Sequence, residues 1–177
     1  MLIQQFNTTI DQWIACLDNY TLEQLCKHPD PDSWSLGQVY IHIIDDTTFY
    51  IEQAHKALMS GVENSGRTMH KNARVLFAQN AFPDMQFTNP SNSLSLRQPQ
   101  SKEELHEALL NIKNKVNSLY AGTDISASNG KTEHPGLGFF NAAEWLLFTE
   151  IHMRHHFRQK KRIDDNLFCT NERKHQK

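Results

Sequence analysis

Apolar residues recur at alternating intervals of four and three through the first twenty positions, at Phe6, Ile10, Trp13, Leu17 and Tyr20. At about 100° per residue these positions share one face, so the spacing predicts an amphipathic helix over about Leu2–Asn19. Thr21 to Gln24 reads as a capping box that starts a short helical turn, which Pro29 and Pro31 stop. A second long helix starts at Trp34-Ser-Leu-Gly-Gln-Val39, where Ser35 caps, Gln38 closes the box and Trp34 staples onto Val39. It is expected to reach Ser60 and to end at Gly61.

Between Gly61 and Gln100 the periodicity loosens. Pro83, Pro90, Pro99 and an Asn-Pro-Ser-Asn-Ser run interrupt it, with room for one short helix over Asn72–Asn80. A connection this long is a crossover or a lid over a site. The box Ser101-Lys-Glu-Glu104 then announces a third long helix, with Leu105, Leu109, Ile112, Val116 and Leu119 on one face and Gly122 at its end. The fourth begins where Asn141 caps, Glu144 sits at the third helical position and Phe140 staples onto Trp145. It runs to about Ile163, leaving residues 164–177 as a frayed tail. No stretch reads as a strand of useful length. The expectation is an all-α fold over residues 1–163, a four-helix bundle with a long crossover between the second and third long helices.

Composition changes this picture little. With 177 residues, 38 % hydrophobic and 21 % charged, and a formal net charge of −2, the chain suits one globular domain with a proper core. It offers no electrostatic footprint for nucleic acid or for a membrane surface. Cys16, Cys26 and Cys169 form neither a C-x-x-C pair nor a dense framework, which indicates reduced thiols. No signal segment and no long apolar run precede or interrupt the helices, so a cytoplasmic location is expected. The one excess is histidine, at ten residues.

Two of these histidines lie where a core should be. Trp145, Phe148, His152, His156, Gln159 and Ile163 follow spacings of three and four, so His152 and His156 face inward one turn apart. Two protonated imidazoles so placed repel, whereas neutral ones can chelate a divalent cation from one side. On the second long helix, His42 leans toward the same core, with Gln38, Asp46 and Phe49 on its side. Three imidazoles from two helices make a metal site with positions left open, the pattern of catalytic rather than structural sites. His155 is rotated off this stripe and is placed in an outer position or on the surface. Gln159, one turn beyond His156, is placed to hydrogen-bond behind a ligand. Asp46 is the candidate base or orienting group, and Glu144 a poorer one because its cap occupies it. His28, His55, His70, His106 and His175 read as exposed, and His134 as a solvent-facing turn residue that could alternatively cap the pocket. Arg154, Arg158, Lys160, Lys161 and Arg162 read as a solvated helix end, with anion or thiol-carboxylate recognition as the alternative. The bland alternative for the triad is three core histidines without a metal.

The stretches Trp34-Ser-Leu-Gly-Gln-Val-Tyr-Ile-His42 and His152-Met-Arg-His-His156-Phe-Arg-Gln159 resemble the two signatures of the DinB-like superfamily. His134-Pro-Gly-Leu-Gly138 and Glu144-Trp145 resemble the form common in its small bacterial members. The resemblance spans about residues 1–163 and implies a bundle with a crossover. It also implies a metal on the three histidines matched by His42, His152 and His156. Relatives include transferases and isomerases that use low-molecular-weight thiols such as mycothiol or bacillithiol. The chain departs from many relatives in carrying Lys160 and Lys161 after Gln159.

Three accounts of function follow. A metal-dependent transferase would lower the pKa of a small thiol and present the thiolate to an electrophile. A hydrolase would use metal-bound water, with Asp46 as base. A non-catalytic binding or stress-response protein would use the ion as a brace between helices. Zinc or nickel is the expected ion, with iron, copper or manganese as alternatives. The expected partner is a small-molecule substrate, and pairing into a homodimer through an exposed helical face stays open.

Overall fold

In a computed structural model of the protein, residues 2–82, 96–122, 124–125 and 128–168 are described. The helices are α1 (Leu2–Leu17), α2 (Leu22–Cys26), α3 (Leu36–Met59), α4 (Lys71–Gln79), α5 (Lys102–Gly122) and α6 (Ala142–Leu167), and two short strands, β1 (Thr132–His134) and β2 (Gly138–Phe140), precede α6. Three capping boxes form where the sequence predicts them, at Thr21/Gln24, Ser35/Gln38 and Asn141/Glu144. Each satisfies two backbone amides that the first helical turn leaves without partners. At α5 the box is displaced: Ser101 Oγ accepts from the Glu104 amide, but the Glu104 carboxylate accepts from the Gln100 amide one residue earlier. α1 stops at Leu17 because the next three amides turn back onto the carbonyls of Ala15, Cys16 and Leu17, tightening the chain into a 3₁₀-like turn.

Side-chain contacts fix the helix directions. Thr9 and Trp13 of α1, and Tyr20 just beyond it, meet Glu150, Met153 and Asp164 of α6 in rising order, so these helices are parallel. Asn7 and Asp11 meet Asn117 and Lys113, so α5 runs opposite to α1. His42 and Tyr50 of α3 meet His156 and Trp145 of α6, so this pair is antiparallel. α3 therefore runs parallel to α5, and both α1 and α3 pack against α5 and α6. Parallel neighbours need a connection that returns the length of the bundle, which is why the chain spends residues 60–101 between them. The core runs between the four long helices through Trp13, Tyr40, Leu105, Leu109, Trp145 and Phe148. Among the described residues no helix is long and apolar enough to cross a membrane.

Two expected elements need correction here, the end of the last helix and the absence of strands. The last helix continues to Leu167, because Lys160 pairs with Asp164, Lys161 with Asp165, and Tyr20 donates to Asp164. Residues beyond 168, with Cys169 and His175, lie outside the described residues, as do Pro83, Pro90 and the Asn-Pro-Ser-Asn-Ser run. A hairpin exists where none was expected, with Thr132 opposite Phe140 and His134 opposite Gly138. Three-residue strands are too short to show alternation. Gly136 and Gly138 hold φ of 90° and 86°, and a Cβ on Gly138 would lie 2.9 Å from the backbone of His70.

The cationic end of α6 is not simply solvated. Arg154 donates to both oxygens of the buried Glu150 carboxylate and to the backbone carbonyl of Asn80, the left-handed residue that ends α4. Arg158 donates to the carbonyl of Phe82. These bonds fasten the first half of the crossover onto α6. Replacing Arg154 with Leu leaves Glu150 with Thr9 Oγ as its remaining side-chain donor among those described. Because Arg154 is partly exposed, a loss of about 2 kcal/mol is expected. Chemical denaturation measures it, and an unchanged midpoint would show that Glu150 does not depend on this guanidinium.

Candidate metal centre

His42 lies in the second turn of α3, seven residues after the Ser35 cap that fixes where the helix begins. His152 and His156 lie one turn apart in the middle of α6. Antiparallel packing of these helices brings the three rings together edge to face across the interface. His156 Nε2 lies 3.2 Å from His42 Nε2 and 3.2 Å from His152 Nε2. Among the described residues, these three side chains form the set of potential ligands that could hold a metal ion.

The protonation of the rings decides what that convergence means. His156 Nδ1 lies 2.8 Å from Gln159 Oε1, so Nδ1 carries the proton and Nε2 presents a bare lone pair. Burial pushes the His156 pKa down to about 3, with the neighbouring His42 adding to the effect. His152 is held well below its ordinary value, first by burial and then by the charges His156 and His42 would carry. At His42 burial outweighs the opposing pull of Asp46 and Asp45, and its pKa is also lowered. The bare Nε2 of His156 has one lone pair and can accept one N–H, so at most one of its two 3.2 Å contacts is a hydrogen bond and the other is left unsatisfied. A divalent ion removes the conflict. Zinc–nitrogen bonds of about 2.0–2.1 Å set nitrogen–nitrogen edges of about 3.3–3.4 Å in a tetrahedron and about 2.9 Å on an octahedral face. The observed separations fall between these values. His152 Nδ1 is buried without a hydrogen-bond partner, so the residues behind the cluster hold the ring by packing.

The two sides of the cluster differ. His152 and His156 are each 7 % exposed, whereas His42 is half-buried beneath the Trp34 indole, whose ring centre lies 5.1 Å away. Trp34 therefore walls the site. Asp46, one turn after His42, places Oδ2 3.6 Å from Nε2 of His42 and 3.6 Å from Nε2 of His152. It faces the space between the imidazoles instead of bonding a rear nitrogen, so it does not orient His42 from behind. Tyr50 donates its hydroxyl to the same Oδ2 at 3.0 Å. Sequence periodicity did not single out Tyr50, although its position one turn beyond Asp46 is the signal that points to it.

Other histidines fall elsewhere. His155 accepts at Nδ1 from Arg158 and packs on Phe82, outside the cluster. Glu144 is held in the Asn141 cap. His28, His55, His70 and His106 are exposed, His28 sharing a hydrogen bond with Gln98 of the crossover. His134 is not solvent-facing. Hairpin formation folds it against Tyr50, Trp145 and Phe148, its Nε2 is buried without a partner, and burial lowers its pKa.

These lowered values give a pH dependence. In the metal-free protein the unfolded chain takes up protons near pH 6.5, while the folded histidines resist protonation until lower pH, so stability falls as pH drops below about 6.5. The limiting slope is about 1.4 kcal/mol per pH unit for each histidine. Thermal denaturation in chelator between pH 7.5 and 5 checks this, and a midpoint flat across that range would contradict neutral burial.

Comparison with known proteins agrees with this architecture. YfiT from Bacillus subtilis, described as "a probable metal-dependent hydrolase with an unusual four-helix bundle topology", superposes with a TM-score of 0.65 at 12 % identity, over 94 % of this chain and 85 % of its own. No curated protein matches the sequence. The profile of the DinB superfamily matches residues 5–159, nearly the whole bundle and all three histidines of the cluster, and the chain belongs to that superfamily.

Proposed function

We propose that the protein is a metal-dependent hydrolase of a small-molecule substrate, with His42, His152 and His156 as ligands and Asp46 as the proton acceptor. The observation that carries this reading is Asp46 Oδ2, 3.6 Å from two of the converging nitrogens and on their open side. A divalent ion held there, zinc or nickel by ligand type, supplies Lewis acidity and lowers the pKa of a water molecule that reaches it. Asp46 is positioned to take the proton that such a water gives up. Gln159 fixes the tautomer of His156 from behind, and the Trp34 and Phe82 rings limit solvent around the cluster. The fold relationship to YfiT, itself described as a probable metal-dependent hydrolase, supports the same class.

Among the described residues, four of the five cations late in α6 that could grip a thiol's carboxylates are already engaged: Arg154 by Glu150 and Asn80, Arg158 by Phe82 and His155, Lys160 by Asp164 and Lys161 by Asp165, while Arg162 is exposed. A purely structural brace leaves Asp46 beside the ligands without a purpose.

Elemental analysis of wild type and His152→Ala is expected to show about one metal per chain in the first and near-complete loss in the second. Equal content in both would overturn the ligand assignment. With chromogenic esters and amides as substrates, Asp46→Asn is expected to retain the metal while turnover falls by about 10²–10⁴. Metal-loaded protein that hydrolyses none of them yet is thermally stabilised by a cellular thiol would favour the transferase instead.

A further inference from the structure

A carboxylate this close to three ligand nitrogens has two available roles. The 3.6 Å separations between Asp46 Oδ2 and Nε2 of His42 and His152 are little longer than the edge joining two donors on one ion, about 3.3–3.4 Å for a tetrahedral site. A small rotation would turn Asp46 from a neighbour of the ion into a ligand, filling a position that a hydrolase must keep open.

The side chain that opposes this rotation is Tyr50. Its hydroxyl donates to Oδ2, the same oxygen that faces the imidazoles, and so occupies one of its lone pairs. The ring carrying that hydroxyl has little freedom. It is 7 % exposed, with Phe148, His152, Trp145 and His134 at centroid distances of 5.0, 5.5, 5.6 and 5.9 Å. The box is itself anchored, since Trp145 Nε1 donates to Thr132 Oγ1 and Thr132 Oγ1 donates to the Gln53 carbonyl one turn along α3. Gly136 and Gly138 let the hairpin turn His134 inward onto Tyr50. Through His134 the hairpin closes the cage around the phenol ring.

Resting on the metal reading above, we propose that Tyr50 is a positioning residue that keeps Asp46 beside the ion as a proton acceptor and prevents it from becoming a fourth protein ligand. The ring is held by packing and the carboxylate by one hydrogen bond, so removing the hydroxyl alone should release Asp46 without disturbing the three histidines.

Cobalt(II)-loaded protein with azide as a probe of the open position tests this. Tyr50→Phe keeps the ring and is expected to bind cobalt in the same amount as wild type. Its visible absorption should change as a carboxylate joins the ion, and azide affinity should fall by about tenfold, the lower end of outer-shell effects. Asp46→Asn/Tyr50→Phe should restore both the wild-type spectrum and the azide affinity. A Tyr50→Phe spectrum and azide affinity equal to wild type would overturn the role of Tyr50, as would a double variant that remains as weak as the single one. Loss of cobalt from Tyr50→Phe would also overturn it, by showing that the phenol supports the ligands themselves. Wild type that takes up no cobalt overturns the metal reading instead, so the two failures are distinguishable.

Discussion

Two nitrogen–nitrogen contacts of 3.2 Å between neutral, buried imidazoles are the constraint on which the site depends. His156 Nε2 can accept from one of the two rings at most, so the other buried contact has no hydrogen bond to satisfy it. The helices accept the arrangement because neighbouring packing leaves the rings no other place to go. Trp13 stacks on Phe157 at 4.4 Å on one side of the α6 stripe, and Phe148 lies nearly parallel to His152 on the other. Such an arrangement is costly without a cation and natural with one, which makes the ion and the α3–α6 interface a single structural unit.

That interface also explains the route of the chain. An antiparallel α3–α6 pair together with a parallel α1–α6 pair forces α3 and α5 to run the same way, and the return connection must cross the bundle. Crossover segments are fastened where they meet α6, by Arg154 at Asn80 and Arg158 at Phe82, and again where they meet α3, by Gln38 at the Leu96 carbonyl and Ser35 at Gln98. Both fastening points lie on helices that carry ligands. Gln38 serves twice: its side-chain oxygen closes the α3 capping box while its amide nitrogen holds Leu96. The register of His42 and the path of the crossover are therefore set by one residue.

What the sequence made legible was local, and what it hid was tertiary. Helix starts at Ser35 and Asn141 follow from side chains reaching three residues along the chain, and the inward direction of His152 and His156 follows from helical periodicity. The bundle class and its crossover followed in turn. The role of Tyr50 was not legible because it depends on a hairpin that begins only at Thr132, far along the chain and too short to leave a periodic trace. His134 was misplaced for the same reason: a histidine before Pro135 in a turn is usually exposed, and only the pairing of β1 with β2 rotates it onto Tyr50. The bonds by which Arg154 and Arg158 fasten the crossover were not legible because the groups they hold there are backbone carbonyls, which have no sequence signature.

The chemistry of the donor set points in the same direction as its geometry. Three neutral imidazoles leave the charge of a divalent ion uncompensated, and Asp46, with one negative charge, is the nearest carboxylate to the cluster. Were Asp46 to coordinate, the ion would lose both charge and an open position, and the site would come to resemble a closed structural one. Held by Tyr50 beside the ion, as proposed, the same carboxylate would leave the Lewis acidity intact and add a proton acceptor next to His42 and His152. On the deep side, His152 packs against the Phe82 and Phe148 rings. An ion that keeps its charge and a base that keeps its distance are what stabilising negative charge on a substrate oxygen would require. On the proposed reading both would depend on one stretch of α3, where His42, Asp46 and Tyr50 follow one another at intervals of one helical turn.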